Sequence, residues 1–434
     1  MSNVTFFIRN PIWAFIVPSF FYAAIWLIAP IDFVYSGNFQ TLLIAASMPI
    51  LLLIGALLGL RRLNAKSRII QINRTNLRHV INLIAFLGFL GLSLRLFERI
   101  VLRGGGVVTT DFMANREVLS SGGSGLVSLV GGIFSTLLLL LPFFCLLLKK
   151  LDPDKSKKAT VFLWLSLLFP LSDIALQGSR STLIIYLGIF LSSWFTLNQF
   201  KFQPRIALAA FISCIALIWI GGAIFILRTT QMGIDPVSSM YLSGYAYFAP
   251  ASTTVLEFLE HNEIKGAASL VYSLAHLFQY LTHGLYEFFF IISQISSPTT
   301  YGLQSFYIPA KIFLTLAGDS DVESMIMQGQ LRSGVYTTLF GPLIYDFGPW
   351  GAAFFCFSVG VGIGNIVRRI SRGHLTLLPI YLVVVGFLPF SMVVNLFASG
   401  TGQYALLGSF FMVMVLSMHR FQLAGIRRIP CGER

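Results

Sequence analysis

The chain has 434 residues, 56% hydrophobic and only 11% charged, with a mean hydropathy of +0.79 and a formal net charge of +13. So much apolar surface excludes a soluble globular domain and points to an all-α polytopic membrane protein. The positive charge is spread over alternate loops rather than gathered in one patch, so it reflects topology and implies no nucleic-acid partner.

The first apolar run, Pro11 to Pro30, is long enough to cross a hydrocarbon core of roughly 30 Å. It lacks a short apolar region ending in a small-residue cleavage site, so it reads as a retained helix and not a signal peptide. Further runs follow at 40–60, 79–97, 126–148, 159–176, 181–200, 205–227, 343–367, 375–394 and 403–418. Between Arg228 and Phe347 the chain is more polar and broken, with two more candidate spans at 238–258 and 268–293. The total is therefore ten or twelve. Their connector, EHNEIKGAA, has no positive excess to decide between the counts, and the reading leans to twelve. No internal repeat appears, so 1–434 forms one integral domain, with 228–347 as a periplasmic or interfacial segment. Cys145, Cys214, Cys356 and Cys431 fall in apolar spans or the tail and imply neither a disulfide framework nor a metal set.

Lys and Arg orient the spans. Arg9, the 61–78 connection, KKLDPDKSKK (149–158), 201–205, 368–372 and the C-terminal tail together hold 21 basic residues against 3 acids. Those loops are predicted to be cytoplasmic, with both termini, and the other side is left with 9 basic and 14 acidic residues. Seven arginines nevertheless fall on that outer side, at 95, 99, 103, 116, 180, 228 and 332. Charges at the membrane edge are costly and mark functional sites. Arg180 stands in the tight hairpin LSDIALQGSRSTLII, where a structural pairing with Asp173 competes with function. Arg228 opens the central stretch and Arg332 precedes its densest motif. Arg103 and Arg116 bracket RGGGVVTTDFMANR, whose glycine amides and guanidinium forks suit a diphosphate, although a solvated loop is the plainer reading.

Candidate bases lie in the same stretch. Glu287, in the apolar setting HGLYEFFFII, is expected to have a raised pKa suited to proton transfer. His276 and His283 are seven residues apart and share a helix face. Asp346 either caps a helix or acts chemically. The alternation Asp319, Asp321, Glu323 is read as an acidic turn in preference to a metal loop, and no cofactor is expected. Tyr280, Tyr301 and Tyr336 suit stacking on sugar rings or an interfacial aromatic belt.

The order YLTHG (280–284), YG (301–302), FYIP (306–309) and GVYTTLFGPLIYDFGPWG (334–351), with GSR at 178–180, resembles the bacterial oligosaccharide repeat-unit polymerases, the Wzy-type O-antigen polymerases. The resemblance implies a GT-C-like glycosyltransferase of the bacterial inner membrane with a periplasmic active site. It further implies an undecaprenyl-diphosphate-linked oligosaccharide as substrate, no nucleotide sugar or obligatory metal, and a chain-length regulator protein as a partner. Such a donor needs a lipid-facing slot for its tail, cations for its diphosphate and a groove for its sugars. Arg180, Arg228 and Arg332 suit the diphosphate, and Glu287, Asp346 or a histidine the acceptor proton. An O-antigen ligase differs only in acceptor. A flippase or transporter of lipid-linked glycans more often shows two related halves, which are not seen here.

Overall fold

The computed structural model describes residues 2–5, 11–34, 37–60, 69–103, 115, 125–154, 156–177, 179, 181–198, 219–223, 225–227, 229–262, 264–316, 322–332, 334–418 and 423–425. Among the described residues the chain is mainly helical, with three short strands, and seven of the helices are long and apolar enough to cross a membrane. They are α1 (Pro11–Ile28), α2 (Phe39–Leu60), α3 with its π-helical extension (Arg74–Arg103), α4–α5 (Gly125–Leu151), α6–α7 (Lys157–Leu176), and two C-terminal helices, Gly341–Ser371 and Gly400–Ser417. Two shorter apolar helical segments, α8 (Ser181–Leu197) and Leu375–Phe390, complete the bundle among the described residues. Most of the 205–227 run lies outside them.

The basic loops gather on one face. Strands β1 (Ser2–Thr5), β2 (Ile69–Ile72) and β3 (Ala424–Gly425) pair antiparallel, so both ends of the chain meet the first long connection. Asp152 of the lysine-rich connection accepts a 2.7 Å bond from Arg78 and lies 3.8 Å from Arg74. Lys150 donates to the carbonyl of Leu197 at the end of α8.

The Arg228–Phe347 stretch caps the opposite end. The 238–258 candidate span breaks into α9 (Pro236–Leu242), a 3-10 turn (Gly244–Tyr247) and α10 (Thr253–His261), none long enough to cross. The 268–293 candidate is one helix, α11 (Ala267–Gln294), and it is not among the seven helices long and apolar enough to cross. Tyr286 stacks on Phe33 at 4.8 Å and near Trp26 at 6.1 Å, at the end of α1. Phe225, just before the segment, lies 3.7 Å ring to ring from His276. By length and composition the described residues of the central segment supply no crossing helix, so the lean to twelve spans is corrected.

After α11 come α12 (Tyr307–Leu316), α13 (Val322–Gly329) and α14 (Gly341–Ser371). Gly348 kinks α14 at φ +66°, a left-handed conformation that a side chain would resist, and packs on Pro298. Beyond the kink α14 runs parallel to α2 through two small-residue ridges, Gly55/Gly59 and Gly360/Gly364. A Cβ on Gly360 would lie 2.2 Å from the Leu52 carbonyl, and one on Gly59 2.4 Å from that of Val361. This close backbone approach is how membrane helices pack without a hydrophobic driving force between them. Leu378–Phe387 is α15 and Gly400–Ser417 is α16. Between them, turns at 391–399 lie against the loop before α14: Leu339 N donates to Ser391 O at 2.7 Å and Asn395 N to Thr337 O at 3.1 Å. Irregular backbone at this depth persists where its polar groups find partners or line a cavity, and here both hold.

Candidate functional site

One face of α11 carries His276, Gln279, His283 and Glu287, all buried, at the spacing of successive helical turns. Gln279 donates to the carbonyls of Met240 (3.2 Å) and Ala249 (3.0 Å), tying the short helices to this face. Glu287 is 3% exposed and bonded to Arg332. The other arm of the guanidinium donates to Gly244 O at 2.8 Å, and the group lies 4.4 Å over the Tyr247 ring and 5.3 Å from Phe248. Arg332 thus joins α11, the loop before α14 and the 3-10 turn. Burial pushes the Glu287 carboxyl up to about 7, with the Arg332 charge pulling the other way. A carboxylate at that value exchanges a proton readily near neutral pH.

Beside the pair stands a wall of rings. Tyr245 donates to the Tyr336 hydroxyl at 2.8 Å, and Tyr280 meets Tyr336 edge-on at 5.1 Å. His283 lies behind, 4.2 Å from the Tyr245 ring and 5.4 Å from Tyr336. Its Nδ1 hydrogen points to the helix carbonyls of Tyr280 (2.9 Å) and Gln279 (3.2 Å). Burial holds its imidazole down at about 4, hence neutral at pH 7. Burial and the neighbouring phenols push Tyr336 far above the usual phenol range, so its hydroxyl keeps its proton.

Three spaces meet here. A polar cavity of about 470 Å³ is lined by Glu287, Arg332, Tyr336, Gln304, Tyr307 and Asn395, among others. An apolar slot of about 270 Å³ between α2, α14 and α16 shares Asn395 and Ala398 with it, its walls including Phe306, Leu343, Phe355 and Val359. On another side an open groove of about 780 Å³ shares Gln330. A molecule with an apolar tail, a polar junction and an extended polar head fits such a series.

The remaining expected residues lie elsewhere. His276 sits in an aromatic nest with Phe225 and Tyr272, away from the cavity lining. Asp346 accepts from Thr300 Oγ1 (2.7 Å), Gly302 N (3.0 Å), Gln304 N (3.1 Å) and Ser305 N (2.7 Å). Four donors on one buried carboxylate make it the anchor of the 300–305 turn, and it lines none of the three spaces. Tyr301, on that turn, opens to the large groove. Arg103 pairs with Glu98 and reaches Ser128 at 3.4 Å in a separate cluster. Arg116, Arg180, Arg228, Asp319, Asp321 and the side chain of Glu323 lie outside the described residues, among which no group of three metal-ligating side chains occurs.

Some of the arrangement escapes sequence reading. Asp173 takes Arg95 (3.2 Å), Arg99 (2.5 Å) and Thr182 (2.5 Å). The sequence marks Asp173 as an ion-pair partner, but for Arg180, which lies outside the described residues; the sign of its pairing with Arg95 and Arg99 is their four-residue spacing along one helical face. Tyr245, Gln330, Asn395 and Gln403 carried no signal. Gln403 accepts from Ile308 N at 2.7 Å and fixes α12 on α16.

Comparison with known protein families, characterised proteins and solved structures finds no match for this chain.

Proposed function

We propose that this protein is a membrane glycosyltransferase that polymerises undecaprenyl-diphosphate-linked oligosaccharide repeat units, working at the periplasmic face of a bacterial inner membrane with both termini in the cytoplasm. The observation that carries the reading is the junction of an apolar slot with a polar cavity walled by Glu287, Arg332 and Tyr336. The prenyl tail takes the slot, with the diphosphate at its mouth and the first sugar in the cavity. The acceptor hydroxyl attacks the anomeric carbon through an oxocarbenium-like state. The new C–O bond forms as the bond to the diphosphate breaks, and the diphosphate leaves with the electron pair. Glu287 receives the acceptor proton. Arg332 holds Glu287 in place and offers a preorganised positive field to the departing charge. Arg180 and Arg228 remain candidates for the diphosphate on sequence grounds, and a GT-C-like arrangement is part of the same proposal.

Deleting the gene in its host and analysing surface glycan tests the reading. Loss of long chains with retention of single-repeat material is expected. Loss of all glycan from its lipid core points to a ligase or flippase instead, and unchanged glycan rejects all three.

A further inference from the structure

The open groove beyond Gln330 has its own chemistry. Its polar lining is Gln294, Ser296, Ser297, Thr299, Thr300, Gln328 and Gln330, with the phenol of Tyr301, and no carboxylate, lysine or arginine lines it among the described residues. Ile295, Leu303, Met325 and Leu331 add apolar patches between those groups. This contrasts with the adjoining cavity, where Glu287 and Arg332 face each other. Among the described residues an ionic ligand finds no counter-charge in the groove, and a purely apolar one leaves its amides and hydroxyls without partners. Pyranose rings offer hydroxyl edges to the amides and C–H faces to the apolar patches.

Tyr301 marks the place where such a ring rests. It is 79% exposed and held at φ +48°, a conformation that a bulky residue rarely adopts. The four hydrogen bonds to Asp346 impose that turn, and Thr299 and Thr300 fasten it to the Tyr345 carbonyl at 2.8 and 3.0 Å. A buried carboxylate thereby fixes an exposed ring at the groove's edge, and backbone strain of this sort persists where the surroundings over-determine it.

We infer that this groove is a second carbohydrate subsite, selective for uncharged sugar residues, with Tyr301 as its stacking platform. It holds the part of the glycan that extends past the cavity. The inference rests on the glycan-transfer reading for its biological meaning, yet binding at the groove is measured apart from transfer.

The test uses the full chain, purified in detergent and labelled, on an array of immobilised oligosaccharides. Neutral hexose and N-acetylhexosamine chains stand beside uronic acid-containing chains of matched length. Binding to a subset of neutral chains is expected, with roughly tenfold weaker affinity for Tyr301→Ala and near wild-type affinity for Tyr301→Phe, which keeps the ring. Glu287→Gln is expected to retain binding. Preference for the acidic chains, unchanged affinity in Tyr301→Ala, or no binding to any chain overturns the inference. If Glu287→Gln still polymerises while groove binding behaves as stated, the transfer mechanism fails and the subsite stands. If Tyr301→Ala expresses poorly, Gln330→Ala and Ser297→Ala give the same reading from the groove's other wall.

Discussion

Two buried carboxylates of this protein each hold arginine, and they differ in what lies next to them. Asp173 is enclosed by Arg95, Arg99 and Thr182, with Phe169 stacked 5.2 Å from the Arg95 guanidinium, and it lines none of the three spaces described above. Glu287 has one arginine and stands in the wall of a cavity of about 470 Å³. Charge at the membrane edge is therefore a poor guide on its own. A carboxylate surrounded by donors is a rivet, while one with a single partner and open volume beside it has a proton to exchange.

The sharpest way to break this comparison is to remove each carboxylate. Asp173→Ala removes the carboxylate that the Arg95 and Arg99 guanidiniums share and leaves Arg95 buried without its ion-pair partner, a loss of about 3–5 kcal/mol. Little folded protein should accumulate in membranes, and normal levels of a stable Asp173→Ala protein would make that cluster a functional one. A smaller structural effect is expected where α2 meets α14. Gly360→Val forces a side chain into the Leu52 carbonyl and should cost about 1–3 kcal/mol, read as a lowered thermal midpoint in detergent.

At the Glu287 site the expected losses are in rate rather than in protein level. Arg332→Lys keeps the charge but loses the planar fork that spans Glu287 and the Gly244 carbonyl. Transfer should fall roughly tenfold, about 1.4 kcal/mol, at matched expression. An unchanged rate would reduce Arg332 to a point charge. The pH profile should show the smallest effect. Glu287 must be ionised to take a proton and its carboxyl sits at about 7, so kcat/KM should climb as pH rises through 7 and flatten above it. A profile flat from pH 5 to pH 8 would remove Glu287 as the titrating group.

Much of the bundle was legible because hydropathy and Lys/Arg placement act locally along the chain. The grouping of the 61–78 connection with Arg74, Arg78 and Asp152 on one face follows the basic loops. The difference lies at 268–293, where a long apolar run reads as a span but the helix is not among those long and apolar enough to cross. The polar series His276, Gln279, His283, Glu287 on one face was the sign that the helix covers a site, and span counting discards that sign. Pro250 and the Ser243–Gly244 break likewise end the 238–258 candidate. Glu287 and Arg332 were both legible as unusual residues, but not as partners, since 45 residues separate them. The partners of Asp346 were hidden for the same reason: its donors come from a turn more than 40 residues upstream. Long-range pairing is set by packing, which a single sequence does not display.

The most direct measurement is polymerisation by Glu287→Gln. The wild-type and variant proteins, matched in amount, are reconstituted with undecaprenyl-diphosphate-linked repeat units, and the products are separated by length. Gln keeps the size and the hydrogen bond to Arg332 but cannot accept a proton, so the ladder should fall by roughly 100- to 10,000-fold while the folded protein persists. A ladder made by Glu287→Gln at the wild-type rate would contradict the assignment of Glu287 as the base.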